Sequence, residues 1–87
     1  MTEYVVKVNP VLPSEKTITG TVNDRFTFVA EIADQAEQRT VEGTNLSRLV
    51  IRDMNRAICN FDGIWNIKPR AQNLIIMRKV VDAIKRQ

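Results

Sequence analysis

The chain has 87 residues, 44% of them hydrophobic and 26% charged, and carries a formal charge of +3. That length allows one hydrophobic core, hence a single domain over residues 1–87, and the composition excludes wholesale disorder. The lone cysteine, Cys59, rules out an intrachain disulfide, and the absence of histidine excludes Ser-His-Asp and Cys-His catalysis and the commonest zinc ligand.

From the amino terminus, Tyr4 to Val8 alternates Tyr4, Val6 and Val8 against Val5 and Lys7, which predicts a first strand. Asn9-Pro10 and Pro13-Ser14 punctuate it. Because proline cannot donate to a ladder, Val11-Leu12 reads as loop or edge. Thr17 to Val22 is β-rich and half-exposed, and Asn23-Asp24 supplies a turn. Phe26 to Ala33 is the clearest strand, with Phe26, Phe28, Ala30 and Ile32 directed to the core. The polar run Asp34–Gln38 reads as a loop or one helical turn, and Arg39-Thr40-Val41 as a short strand.

Ser47 to Arg52 sets Leu49 and Ile51 on one face and Arg48, Val50 and Arg52 on the other. Asp53-Met54-Asn55-Arg56 is a hairpin connection, and Ala57 to Phe61 the returning strand, stopped by Asp62-Gly63. Pro69 holds Lys68 extended, so a helix should begin after it. From Arg70 to Arg86, Leu74, Ile76, Met77, Val80, Val81 and Ile84 share about half the helix circumference, while Ile75 projects among the charges. These elements predict an α+β fold: an antiparallel β-meander of four to five short strands over residues 4–67. One C-terminal amphipathic helix, residues 70–86, packs on one face, and Trp65 seals the corner between them.

The chemistry is thin. Gly20, Gly43 and Gly63 are isolated, so there is no phosphate-cradling loop, and no cofactor, metal site or small-molecule substrate is expected. Cys59 reads as a buried, inert thiol mid-strand. Asp53 and Asp62 bracket a hairpin, where each has a turn role that requires no catalysis, and the expectation is that the protein is not an enzyme. No stretch approaches the ~20 apolar residues of a membrane helix, and the amino terminus lacks a secretory pattern, so a cytoplasmic location is expected.

Charge is uneven: residues 68–87 carry +5 and residues 1–67 carry −2. Lysine and arginine at a helix C-terminus complement its dipole, and the same residues can steer an anionic partner. Arg48 and Arg52 lie about 13 Å apart along one strand face, where glutamates such as Glu31 and Glu42 can pair with them.

Ser47-Arg48-Leu49-Val50-Ile51-Arg52-Asp53, followed by Phe61-Asp62-Gly63-Ile64-Trp65-Asn66-Ile67-Lys68-Pro69, resembles a group of small uncharacterised bacterial and phage-type proteins. Those proteins carry an S-x-L-x-I-x-D strand and a D-x-G-W-x-x-K-P corner. The likeness spans residues 26–85, although here an isoleucine separates the glycine from the tryptophan. It implies a β-meander closed by a C-terminal helix, and brings no activity or functional residues.

The leading expectation is a small non-enzymatic binding or accessory protein that works through protein–protein contact, self-association into a homodimer included. Its contact residues would be Arg48, Val50, Arg52 and Ile75, together with an open sheet edge. The alternative is a nucleic-acid-associated module using Arg48, Arg52, Arg56, Arg78, Lys79, Lys85 and Arg86.

Overall fold

Alternating apolar and polar residues become strands here, and the strands pair in the order they are made. The computed structural model describes residues 3–12, 14–34 and 39–87. Six strands, β1 (Val6–Val8), β2 (Thr17–Val22), β3 (Phe26–Ile32), β4 (Leu46–Asp53), β5 (Arg56–Asp62) and β6 (Trp65–Ile67), precede helix α1 (Gln72–Lys85). They form one sheet in sequential order, every neighbour antiparallel. This is the α+β meander expected, with one strand more.

The turns explain the register. Asn23 and Asp24 both take positive φ, 53° and 55°, the signature of a tight hairpin turn whose twist matches the flanking strands. The Asn23 side chain accepts from Val5 N–H at 2.7 Å and donates to the Glu3 carbonyl at 3.0 Å, tying the entry of β1 to this turn. In the β4–β5 hairpin the left-handed residue is Met54, φ 58°, and not its Asp or Asn neighbours. Gly63, φ 77°, turns the chain into β6, a strand of only three residues that the sequence reading missed.

One face of the sheet and one stripe of the helix make the core. Phe26, Phe28, Leu49, Ile51, Cys59 and Phe61 pack with Ile76, Val80 and Ile84 in a single cluster. The helical residues are spaced by four, so they lie in one row down the side facing the sheet. Trp65 is half-buried and stands edge-on to Phe61, ring centroids 5.0 Å apart, at the corner where β6 leads toward the helix. Pro69 is buried there as well, and the helix starts at Gln72, two residues later than the expected Arg70. The Gln72 side-chain amide donates to the Tyr4 hydroxyl, which links the helix start to the first strand.

One expectation changes. Arg39-Thr40-Val41 is not a strand: Val41 is buried in a bend, its N–H bonded to the Leu46 carbonyl at 2.9 Å and its carbonyl to Thr44 N–H. Residues 35–38 of the polar run lie outside the described residues. Among the described residues no helix is long and apolar enough to cross a membrane.

Candidate functional site

With α1 on one face, the other face of the sheet is open, and the register assigns its residues. One cross-strand row runs Thr17, Glu31, Arg48, Asp62, and the next Thr19, Val29, Val50, Asn60, Ile67. A third runs Lys7, Thr21, Thr27, Arg52, Ala57. The face is therefore a threonine-rich plane with an apolar centre at Val29–Val50. A row holding both acids and a cation lies on one side of that centre, and a cationic row on the other. No aromatic ring lies on it.

Three of the expected contact residues meet on this surface. Arg48 is half-buried and lies 3.8 Å from Glu31, the cross-strand pairing that the spacing suggested. Arg52 is exposed between Thr27 and Ala57, and makes no ion pair among the described residues. Val50 is only 4% exposed although it lies on the face away from the helix, between Val29 and Asn60 in register. It offers a flat centre to the face and little exposed surface of its own. Ile75 is 42% exposed on the helix, on the far side of the sheet from these three. The four residues thus belong to two surfaces.

The nucleic-acid set is divided further. Arg48 and Arg52 occupy the open face, and Arg56 ends the β4–β5 hairpin. Arg78 and Lys85 line one flank of α1, while Lys79 and Arg86 line the flank beside Tyr4 and Val6. The seven cations are thus spread over the open face, a hairpin end and two flanks of α1, whereas phosphate binding draws on several cations of one contiguous surface. Glu42, considered as a partner for the strand arginines, lies in the loop beside α1 instead.

Electrostatics at the sheet end are structural. Arg25 donates from Nε and Nη2 to the two Asp53 oxygens at 2.9 and 2.8 Å, and its guanidinium also sits 5.1 Å from the Phe26 ring centre. That fork holds the Asp53 carboxyl below its ordinary range against the opposing effect of burial; the charges of Arg25 and Arg56 add to the lowering. Asp62 lies at the other end of β5, so the two aspartates do not converge. Burial pushes the Cys59 thiol up to about 12, so the thiolate is negligible at neutral pH. Among the described residues no cluster of three or more His, Cys, Asp or Glu side chains could hold a metal, and no buried side-chain polar atom lacks a partner.

A concavity beside the helix escaped the sequence reading. Between α1, the loop at Val41–Thr44 and the Trp65 corner lies a groove of about 440 Å³. Trp65, Leu74, Met77 and Val81 form its floor, with Lys68, Arg78 and Lys85 at its margin. The signal available in the sequence was the width of the apolar arc on α1. Ile76, Val80 and Ile84 are buried against the sheet, while Met77 and Val81 pack at the edge of that core and, with Leu74, keep part of their surface exposed.

The fold is a small antiparallel meander with a C-terminal helix, which leaves one sheet face open and a groove beside the helix. The chain belongs to the family described as a domain of unknown function (DUF7678), whose model matches residues 16–86. That span takes in β2 to β6 and α1, so both surfaces lie largely inside the family domain. Comparison with curated proteins and with solved structures returned no match.

Proposed function

We propose that this chain is a small non-enzymatic binding or accessory protein of the cytoplasm that acts through protein–protein contact as a homodimer. The self-associating surface is the open sheet face. The observation that carries this reading is the self-complementary register of that face. In an aligned face-to-face pair, a two-fold axis running along the strands between β3 and β4 lays each β4 over the partner's β3. Residues that are neighbours in a row then meet across the interface: Arg48 over Glu31, Val50 over Val29, Arg52 over Thr27. On the flanks, Asn60 meets Thr19 and Asp62 meets Thr17. No like charges are opposed at any of these positions.

The size is adequate. Strands about 4.8 Å apart and some six residues long give the face about 500 Å² in plan, and more in accessible surface, at the lower end of stable interfaces. The sheet edges are a poorer route than the sequence suggested. β1 and β6 are each three residues long, and such short edges present few free backbone groups. The lone free cysteine suits a reducing compartment.

Light scattering coupled to size exclusion tests the reading, run at low and high salt with and without mixed short nucleic acid. The expected mass is twice the 10.0 kDa of the chain, in both salts and regardless of nucleic acid. Arg48→Glu should yield a monomer by opposing Glu31 with a second acid, and adding Glu31→Arg should restore the dimer. A wild-type monomer at all concentrations overturns the proposal. A monomer that co-elutes with nucleic acid only at low salt transfers the function to the arginine surfaces.

A further inference from the structure

We infer that the groove between α1 and the Trp65 corner is a docking site for a short acidic peptide segment of a partner protein, anchored by an apolar side chain. It uses the opposite side of the molecule from the dimer face and stands independently of that reading.

Charge comes first. Lys68, Arg78 and Lys85 line the groove, and none of them has an ion-pair partner among the described residues. Of the two acids beside them among the described residues, Asp82 is paired with Arg86 at 3.0 Å, which leaves Glu42 against three cations. The helix dipole accounts for Lys85, in the last turn, but not for Arg78, two turns earlier, nor for Lys68, which is outside the helix. An anionic occupant accounts for all three.

The floor specifies the anchor. Trp65, Leu74, Met77 and Val81 are each half-buried, so apolar surface stays in contact with water along the groove. An aromatic ring and a thioether side by side accept varied apolar side chains, because methionine adapts its shape and an indole offers a flat face. From Leu74 to Lys85 the groove follows the helix for about 16 Å, the span of about five extended residues. Such a peptide places one or two apolar residues on the floor and carboxylates on both sides of them, within reach of the cations Lys68, Arg78 and Lys85 that line the groove.

The chain supplies its own reporter, since Trp65 is its only tryptophan. The probes are a blocked hexapeptide with Leu-Phe flanked by two acidic residues on each side, and its counterpart with lysines in the flanks. The acidic peptide should shift Trp65 emission saturably, and the lysine peptide should bind at least about tenfold more weakly. Arg78→Glu with Lys85→Glu should weaken the acidic peptide by about tenfold or more while far-UV circular dichroism and molecular mass stay unchanged. Lys68→Glu, on a different element, should weaken it too, and titration calorimetry repeats each comparison without relying on fluorescence. Equal binding of both peptides, binding by neither, or full affinity in the double variant overturns the proposal. Because the rim variants leave the open face intact, a protein that dimerises without binding peptide refutes only the groove, and a monomer that binds peptide refutes only the dimer.

Discussion

Asp53 shows how a single carboxylate at a turn is committed by its neighbours. Both its oxygens are taken by Arg25 from the adjacent hairpin, with Arg56 nearby, so its carboxyl ionises below the ordinary 3.8. Lowering in the folded state means the ionised form is favoured by folding. The stability this contributes is therefore fully present above pH 3.8 and is lost as pH falls through the lower folded value. The pair is exposed, so the contribution is small and screened by salt. Asp53→Asn should lie below wild type in urea midpoint at neutral pH, and the gap should close on acidification to about pH 2. A gap of constant size across that range would mean that shape, and not charge, explains the residue. The same hairpin marks a limit of local reading. Aspartate and asparagine suggested a turn correctly, yet the left-handed φ falls on Met54, because the Asp53–Arg56 register puts methionine at the first loop position.

Gly20 lets β1 and β2 approach over the core. In register it faces Val8 on one side and Phe28 on the other, and the Phe28 ring fills the space its side chain would take. A Cβ there would meet the Lys7 carbonyl oxygen at 2.2 Å and the Phe28 ring at 2.5 Å. Phe28 is fully buried and the other obstacle is backbone, so neither can yield cheaply. Gly20→Ala should cost about 3 kcal/mol in urea unfolding, against less than about 1 kcal/mol for Thr19→Ala on the open face. A loss below about 1 kcal/mol for Gly20→Ala would mean that β1 docks loosely. Elements β1 to β5 and α1 were legible because each alternates or repeats over enough residues to show its period. Trp65-Asn66-Ile67 holds a single alternation next to a turn, too short for any period, so β6 was missed. Arg48 and Arg52 were readable as outward by the same alternation. Val50's burial was not, since it depends on which residues β3 and β5 bring alongside. The groove was least legible of all, as its parts come from a loop, a corner and a helix flank separated by up to 44 positions.

For the whole molecule, the helix decides which surfaces remain to act. An 87-residue chain buries a modest share of its surface and has a narrow margin of stability, so covering a second sheet face adds appreciably to it. The open face and the groove lie on opposite sides, so a dimer formed through the sheets turns two grooves outward, and one partner carrying two acidic segments would gain from their linkage. Dimerisation also couples stability to concentration. Where unfolding and dissociation go together, a hundredfold rise in protein adds about 2.7 kcal/mol per dimer, and for chains of this length that moves the midpoint by about 5–10 °C. Thermal unfolding of the wild type over a hundredfold concentration range should show that rise, and Arg48→Glu should flatten it. Arg78→Glu with Lys85→Glu should keep the wild-type slope, because it alters only the groove. A wild-type midpoint that ignores concentration would leave the sheet face solvated, its threonines, Glu31 and Arg48 serving the monomer alone.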